Sequence, residues 1–216
     1  LAGRLKIAVV STGKYIMPYF LSDFMREHEE IELMLDVTNK QKVTESLERN
    51  ELDFALVSVL PENVLVEKLE LMKNKLFLVA NTDKKFSKTP YTRALLNELP
   101  LIFREPGSST RTVMEKFLPQ SAPVKKKLEL TSNEAVKQAV LAGLGCSIMP
   151  LIGIRNELNN GSLQIIPVKG LPIQSSWHLV WMKGKNFSPV ASAFLSYIKK
   201  ERQKVIKQHF NWYEKY

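Results

Sequence analysis

The chain has 216 residues, of which 44% are hydrophobic and 25% are charged, as in an ordinary globular protein. That length can form one large domain or two smaller lobes, and the apolar runs are too short and too often interrupted by charge to span a bilayer. The lone cysteine, Cys146, excludes an internal disulfide, and residues 1–6 lack the pattern of a secretory signal, so we expect a cytoplasmic protein.

The formal net charge of +9 prompts a search for nucleic-acid-binding features. Residues 199–216 hold six basic and two acidic residues, a net +4, so much of the excess lies in the tail. The sequence shows no helix-turn-helix, zinc-finger spacing or aromatic-plus-basic RNA motif. A lysine-rich final helix is usually a solvated face, and we therefore expect no DNA contact from this segment.

Apolar runs of strand length alternate with amphipathic helical segments in the first third of the chain. The predicted elements are strands at 5–10, 31–37 and 54–59 and helices at 14–28 and 40–50. Thr38 or Asn39 is the candidate cap of the second helix. The order strand, helix, strand, helix, strand favours parallel pairing with right-handed crossovers.

The pattern repeats after a strand at 75–80 and a polar stretch at 81–88, where we place the crossing into a second lobe. The predicted elements that follow are strands at 101–104, 127–130, 146–149, 163–168 and 178–183 and a helix at 109–118. A further helix follows Thr131, which with Glu134 matches a capping box, and it ends at Gly143. Ser188 is then a predicted cap, followed by Pro189 at the first position of a last amphipathic helix.

These elements predict an α/β protein of two Rossmann-like lobes joined by two crossover segments. Lobe I comprises residues 1–80 and 184–216, and lobe II comprises residues 81–183. We expect the two crossover segments, near Asn81 and Lys183, to act as a hinge that a bound ligand closes.

Several short motifs follow one another across nearly the whole chain: GRLKIA at 3–8, YIMP at 15–18, REPGSSTR at 104–111, SNEAVKQAV at 132–140, AGLG at 142–145 and MP at 149–150. Together they resemble the effector-binding domain of LysR-type transcriptional regulators. Each motif is short, but their common order and spacing make a chance match improbable. The stretch from Ser132 is most similar to regulators of carbon-fixation genes.

The resemblance implies the fold of type II periplasmic binding proteins, with a small-molecule effector between the two lobes. The family's N-terminal winged helix-turn-helix and linker helix are absent from these residues, so DNA would be bound only through that other domain. The resemblance also implies homodimers, with lobe I of one copy against lobe II of the other, within a tetramer. Effector binding would change how the DNA-binding heads are set. The alternative is a free-standing solute-binding protein of a transport system.

In open α/β sheets, ligands bind beyond the carboxyl ends of the parallel strands, where loops lead into helix N-termini. The turns that this rule selects contain the candidate ligand-binding residues Ser11, Thr12, Gly13, Thr38, Asn39, Arg104, Ser108, Ser109 and Thr131. Hydroxyl groups beside the unpaired amides of helix starts suit a carboxylate or a phosphate. An organic acid or a phosphorylated metabolite is therefore the expected effector.

Each candidate also has a purely structural interpretation. Serine, threonine and asparagine before a helix are common caps, and Thr131 fits a cap better than a ligand contact. Arg104 can pair with an anion or form a salt bridge with Glu105 or Glu129. The resemblance favours ligand contact most at Ser11, Thr12, Ser108 and Ser109.

Catalysis, a cofactor or a metal finds little support in the sequence. His28, His178 and His209 lie far apart without metal-ligand spacing. The chain also lacks a Gly-x-Ser-x-Gly elbow, a Walker loop and a Cys-x-x-Cys pair. The apolar neighbours of Cys146 predict a buried thiol instead of a nucleophile. We therefore expect a non-catalytic domain without cofactor or metal.

Overall fold

The computed structural model describes residues 1–120 and 126–216. The chain forms two compact α/β units. Unit 1 comprises Leu1–Lys73 together with Ser175–Tyr216, and unit 2 comprises Asn74–Gln174. Unit 1 is therefore assembled from two separate stretches of sequence, whereas unit 2 is continuous.

The boundaries between the two units fall inside strands. The sequence predicts the divisions after residues 80 and 183, in polar segments. Two long strands, Val66–Asn81 and Ile173–Met182, instead continue from one unit into the other. Hydrophobic periodicity predicts that a strand exists. It does not show at which residue the strand passes from the core of one unit to the core of the other.

Unit 1 is built on a sheet whose first strands are parallel, as the sequence predicts. β1 (Gly3–Val10) lies between β2 (Ile31–Thr38) and β3 (Phe54–Val57), and both neighbours run parallel to it. Val10 pairs with Thr38, so β1 and β2 end level at the same edge of the sheet. The predicted ligand-binding turns of unit 1 begin at this edge.

The helices that follow these strands are α1 (Met17–Glu27) and α2 (Lys40–Glu48). The first helix begins later than predicted, because Ser11–Tyr15 form a separate 3-10 turn. Pro18 explains the difference. Proline has no N–H to donate, so it is accommodated in the first turn of an α-helix but not in its interior.

Unit 2 repeats the alternation of strands and helices. Its strands are β4 (Val66–Asn81, which begins in unit 1), β5 (Pro100–Arg104), β6 (Lys126–Leu130), β7 (Ser147–Pro150) and β8 (Leu163–Ile165), and its helices are α3 (Leu95–Glu98), α4 (Ser109–Phe117), α5 (Asn133–Leu141) and α6 (Arg155–Asn159). β4 pairs antiparallel with β7 and β8. β5 and β6 are parallel, and Arg104 pairs with Leu130, so these two strands also end level.

One apolar core holds the elements of unit 2 together. Its most buried members include Leu78, Leu101, Phe103 and Ile148. The approach of the chain to β5 just before β7 requires glycine, since a Cβ on Gly145 would lie 2.5 Å from the carbonyl oxygen of Pro100. That closeness lets Cys146 exchange backbone hydrogen bonds with Pro100 and Ile102, of 2.8 and 2.9 Å.

The chain returns to unit 1 through β9 (Ile173–Met182), which pairs antiparallel with β3, and then forms α7 (Pro189–His209). The predicted cap of this last helix is confirmed. Ser188 Oγ accepts a hydrogen bond of 3.2 Å from the backbone N–H of Ala191. Within the described residues, no helix combines the length and the apolar character that crossing a membrane requires.

An aromatic cluster joins the two sequence segments of unit 1. The ring of Phe194 in α7 lies 5.2 Å from that of Phe24 in α1 and 5.7 Å from that of Phe54 in β3. All three side chains are buried. Because burying one phenylalanine stabilises a fold by about 1.5–3 kcal/mol, this cluster is a major tie between the segments.

The predicted cap of α5 is wrong by one residue. Ser132, and not Thr131, is the N-cap, because Ser132 Oγ accepts a hydrogen bond of 3.0 Å from the backbone N–H of Ala135. Glu134, the other predicted member of the capping box, forms a salt bridge of 3.1 Å with Lys137. Two hydroxyl residues in succession left the position of the helix start ambiguous in the sequence.

Substitution of each hydroxyl residue tests this assignment. We expect Ser132→Ala to lower the free energy of unfolding by about 1 kcal/mol, because the N–H of Ala135 loses its acceptor. Thr131→Ala is the matched control and should change it by less than about 0.5 kcal/mol, since Thr131 is exposed. Urea unfolding followed by circular dichroism measures both values. A larger loss from Thr131→Ala would restore the threonine as the cap.

Candidate ligand-binding site

The predicted ligand-binding residues of unit 1 lie together at one edge of its sheet. Because Val10 pairs with Thr38, the turn at residues 11–13 follows β1 directly beside the end of β2. Asn39 is the next residue after β2. The structure therefore brings the two predicted turns of this unit to neighbouring positions.

Ser58 is a further polar residue at this edge, and it was not among the ligand-binding residues predicted from the sequence. Leu56 in β3 pairs with Val9 in β1, so β3 ends level with β1, and Ser58 follows as a half-buried residue. The strand was predicted to continue to Val59, which placed the serine inside it. An end at Val57 would have let the rule of strand carboxyl ends find Ser58.

The turn after β1 is packed tightly onto the sheet. A Cβ on Gly13 would lie 2.8 Å from Val9 Cβ and 3.2 Å from Leu56 Cδ2, so a larger residue would push the turn away from the strands. Thr12 is buried, whereas Ser11 is half-buried. Gly13 and Thr12 therefore hold the turn against the sheet, whereas Ser11 has more surface accessible to a ligand than Thr12 has.

The turn after β2 provides the cap of α2. Asn39 Oδ1 accepts a hydrogen bond of 3.0 Å from the backbone N–H of Lys42, which confirms Asn39 as one of the two predicted caps. Thr38 is the last residue of β2 and does not have this role. The capping oxygen of Asn39 is thus used within unit 1.

In unit 2, the turn after β5 leads into α4 and contains two buried serines. Gly107 has a φ of +86°, which glycine adopts without strain and which admits the sharp turn. Ser108 is the N-cap residue and is 4% exposed, and Ser109 is 8% exposed. Among the described residues, Ser109 Oγ finds no hydrogen-bond partner, and the side chain of Ser108 does not cap the helix.

These two serines create unusual hydrogen-bonding potential. A buried hydroxyl group without a partner destabilises a protein by about 1–3 kcal/mol, so native structures rarely contain one. The first N–H groups of α4 carry the positive end of the helix dipole and lack a side-chain cap in the described part of the chain. Ser109 and these amides together suit an anion with several acceptor oxygens.

Arg104 is paired within unit 2. Its Nε and Nη2 atoms donate hydrogen bonds of 2.7 and 2.8 Å to the two carboxylate oxygens of Glu105, and its side chain is 5% exposed. Of the two salt bridges considered from the sequence, the structure contains the one with Glu105. Glu129 pairs with Arg111, and this hydrogen bond raises the pKa of the Arg111 guanidinium.

Thr131 lies at the same edge as the turn after β5, because it directly follows Leu130 at the end of β6. Its side chain is exposed, and Ser132 has the capping role. The next residue, Asn133, is the first residue of α5 and is buried. This buried amide was not among the residues predicted from the sequence.

Cys146 is buried in the core of unit 2. Burial disfavours the charged thiolate and raises the pKa of the Cys146 thiol to about 11. The thiol is therefore protonated at neutral pH and is a poor nucleophile. In the described ranges, no three His, Cys, Asp or Glu side chains are grouped as a metal site requires.

Comparison with known proteins identifies relatives over most of the chain. The family model described as the LysR substrate binding domain matches residues 1–203. A RuBisCO operon transcriptional regulator of Allochromatium vinosum is 38% identical over 201 residues, covering 92% of this chain and 67% of the relative. The transcriptional activator CmpR of Synechocystis is 36% identical over 203 residues, covering 91% of this chain and 65% of the relative. The chain thus spans about two thirds of the length of these relatives.

A solved structure shares both sequence and fold with this chain. The regulatory domain of CcmR from Synechocystis, in complex with 2-PG, is 33% identical and has a TM-score of 0.85. The match covers 91% of this chain and 95% of that one. It confirms the predicted type II periplasmic-binding-protein-like fold.

The two relatives are transcriptional regulators and not transport proteins, so the alternative of a free-standing solute-binding protein is not supported. The fold and the family match over residues 1–203 agree with each other. This chain belongs to the LysR substrate-binding domain family.

Proposed function

We propose that this chain senses a small anionic metabolite on behalf of a LysR-type transcriptional regulator. The observation that carries the proposal is the buried, partnerless Ser109 Oγ at the start of α4, a helix that no described side chain caps. A ligand oxygen there would accept hydrogen bonds from Ser109 and from the helix amides. Binding would then satisfy donors that are otherwise left unmatched.

We also propose the turns of unit 1 as ligand-contacting positions. Ser11 and Ser58 are half-buried hydroxyl residues at the level ends of β1 and β3. Thr12 and Gly13 hold the first turn against the sheet. Thr38 and Asn39 shape the neighbouring turn, because Asn39 Oδ1 is engaged in capping α2.

The ligand is recognised mainly by uncharged donors. Arg104 is the last residue of β5, directly before the turn that contains the serines, and both oxygens of Glu105 already balance its charge. In the proposal, the ion pair of Arg104 with Glu105 fixes the path of the backbone from β5 into the turn. Thr131 contributes an exposed hydroxyl at the same edge.

A phosphorylated metabolite fits these donors best, and an unphosphorylated organic acid is the second candidate. A phosphate group offers several acceptor oxygens to a helix N-terminus, where the dipole favours negative charge. The CcmR regulatory domain, which is 33% identical, was solved in complex with 2-PG. This relative supports an anionic effector of the phosphorylated class.

The ligand acts on DNA binding through a domain that these residues do not contain. A ligand shifts a conformational equilibrium by the difference in its affinity for the two states, typically about 1–3 kcal/mol of coupling. In the proposal, binding shifts the domain between two states, and dimers assembled within a tetramer pass that change to the DNA-binding heads. A regulator of this kind works beside its DNA, in the cytoplasm.

The domain is proposed to bind its ligand without chemical conversion. Its relatives are transcriptional regulators. The thiol of Cys146, the sole cysteine, is protonated at neutral pH because burial raises its pKa. Within the described residues, no general base is hydrogen-bonded to Ser109 Oγ. Ser109 therefore suits hydrogen-bond donation to a ligand better than nucleophilic attack.

Ser109→Ala separates ligand binding from folding. We expect this change to weaken 2-PG binding by about 10- to 100-fold, because a hydrogen bond to a charged group is lost. The ligand-free variant should be at least as stable as the unchanged chain, since a partnerless buried hydroxyl is removed. Calorimetry and urea unfolding measure the two effects. Ser192→Ala, at an exposed serine of α7, is the control, and unchanged 2-PG affinity in Ser109→Ala would remove this residue from the site.

A panel of anions tests the class of effector. We expect 2-PG to raise the unfolding temperature more than shikimate, a carboxylic acid without phosphate, and more than inorganic phosphate. A ligand present at about 100 times its dissociation constant adds roughly 2.7 kcal/mol of stability. Thermal unfolding at matched ionic strength gives the ranking. A larger shift with shikimate would indicate an organic-acid effector, and no shift with any anion would contradict the proposal.

The thiol of Cys146 should resist alkylation in the folded chain. At about pH 8 the native protein should react with iodoacetamide far more slowly than free cysteine, because the raised pKa keeps the thiol protonated and burial excludes the reagent. The same chain unfolded in concentrated guanidinium chloride is the control and should react at the rate of free cysteine. Equal rates for the folded and unfolded chains would make Cys146 a reactive thiol.

A further inference from the structure

The C-terminal segment, residues 204–216, lies beyond the part of the chain that the family model matches. It contains the end of α7 and a 3-10 turn, Asn211–Lys215. Three of its side chains are deeply buried in unit 1: Val205, Phe210 and Tyr213 are 4%, 3% and 2% exposed. Its lysines face solvent on the other side. The segment is therefore an integral part of unit 1 and not a solvated tail.

The C-terminal segment packs against the first turn of α1. The ring of Phe210 lies 5.3 Å from that of Tyr19, edge to face, and 6.1 Å from that of Phe20, in a stacked arrangement. The ring of His209 lies 4.9 Å from that of Tyr19. These distances are typical of favourable aromatic pairs. The segment thus holds the beginning of α1 from outside.

The beginning of α1 is in turn continuous with the turn after β1. The backbone N–H of Ile16 donates a hydrogen bond of 3.0 Å to the carbonyl of Gly13, and that of Tyr19 donates one of 3.1 Å to the carbonyl of Ile16. Ile16, which takes part in both hydrogen bonds, and the next residue, Met17, are fully buried. Two consecutive backbone hydrogen bonds therefore connect Tyr19 with Gly13 in the turn.

We infer that the C-terminal segment braces the ligand-binding turn at residues 11–13, with Phe210 as a positioning residue that acts through Tyr19 and Phe20. The inference rests on the proposed function, in which Ser11 contacts the ligand. A turn that is held in place before binding loses less conformational entropy when the ligand arrives. The brace thus raises affinity without touching the ligand.

Phe210→Ala tests the brace by two independent measurements. Amide hydrogen exchange at Ile16 and Tyr19 should accelerate by about tenfold or more, while exchange in unit 2 stays unchanged. The affinity for 2-PG should fall by about tenfold, because the loosened turn has to be ordered on binding. Phe210→Leu keeps an apolar side chain at this position and should retain most of both properties.

Phe187→Ala is the matched control. The ring of Phe187 stacks on Phe54 at 5.1 Å, at the amino end of β3 and so at the opposite end of the strands from the turns. This variant also removes an aromatic ring from unit 1. It should lower stability while leaving the exchange at Ile16 and Tyr19 and the affinity for 2-PG as they are.

The outcomes distinguish the brace from the ligand proposal. Exchange at Ile16 and Tyr19 that is unchanged in folded Phe210→Ala overturns the brace, and so does an equal acceleration in Phe187→Ala. If the unchanged chain does not bind 2-PG, the proposal of that ligand class fails, and the exchange rates alone decide the brace. Should Phe210→Ala not fold, Tyr19→Ala removes the other ring of the contact from an exposed position and is judged by the same criteria.

Discussion

Level pairing of parallel strands is the constraint on which the candidate site depends. Val10 pairs with Thr38 in unit 1, and Arg104 pairs with Leu130 in unit 2. Parallel strands that end level place the turns after them side by side, and each turn leads into a helix whose first amides point back to that edge. A shift of one residue in either register would turn the strand's side chains to the other face and separate these turns.

In the proposed site, neutral donors recognise an anion while the nearby arginine stays paired with a carboxylate. Arg104 lies at the end of β5, but the carboxylate of the adjacent residue, Glu105, accepts both of its hydrogen bonds. The donors left for a ligand are hydroxyl groups and helix amides, whose strength comes from position and low exposure. Recognition of this kind favours ligands whose oxygens match the spacing of the donors over any anion of the same charge.

Two helix caps and the parallel pairing of the first strands were predictable from sequence, whereas individual contacts between distant side chains were not. Ser188 and Asn39 were identified as caps because a cap is defined by residues a few positions away. The pairing of Arg104 stayed open between Glu105 and Glu129, since the choice depends on where Arg111 lies. The packing of Gly13 against Leu56 joins residues that are far apart in sequence, and no periodicity reveals it. Ser58 was missed because apolar Val59 lengthened the predicted strand.

The discontinuity of unit 1 also has a consequence for biosynthesis. Domains fold largely as units while the ribosome elongates the chain. Unit 2, Asn74–Gln174, can fold as soon as it has emerged, whereas Phe24 and Phe54 wait for Phe194 on the last helix before their core closes. Residues of the first strands and of α1 are thus among the last of unit 1 to reach their native packing, and their apolar faces stay exposed until α7 has emerged.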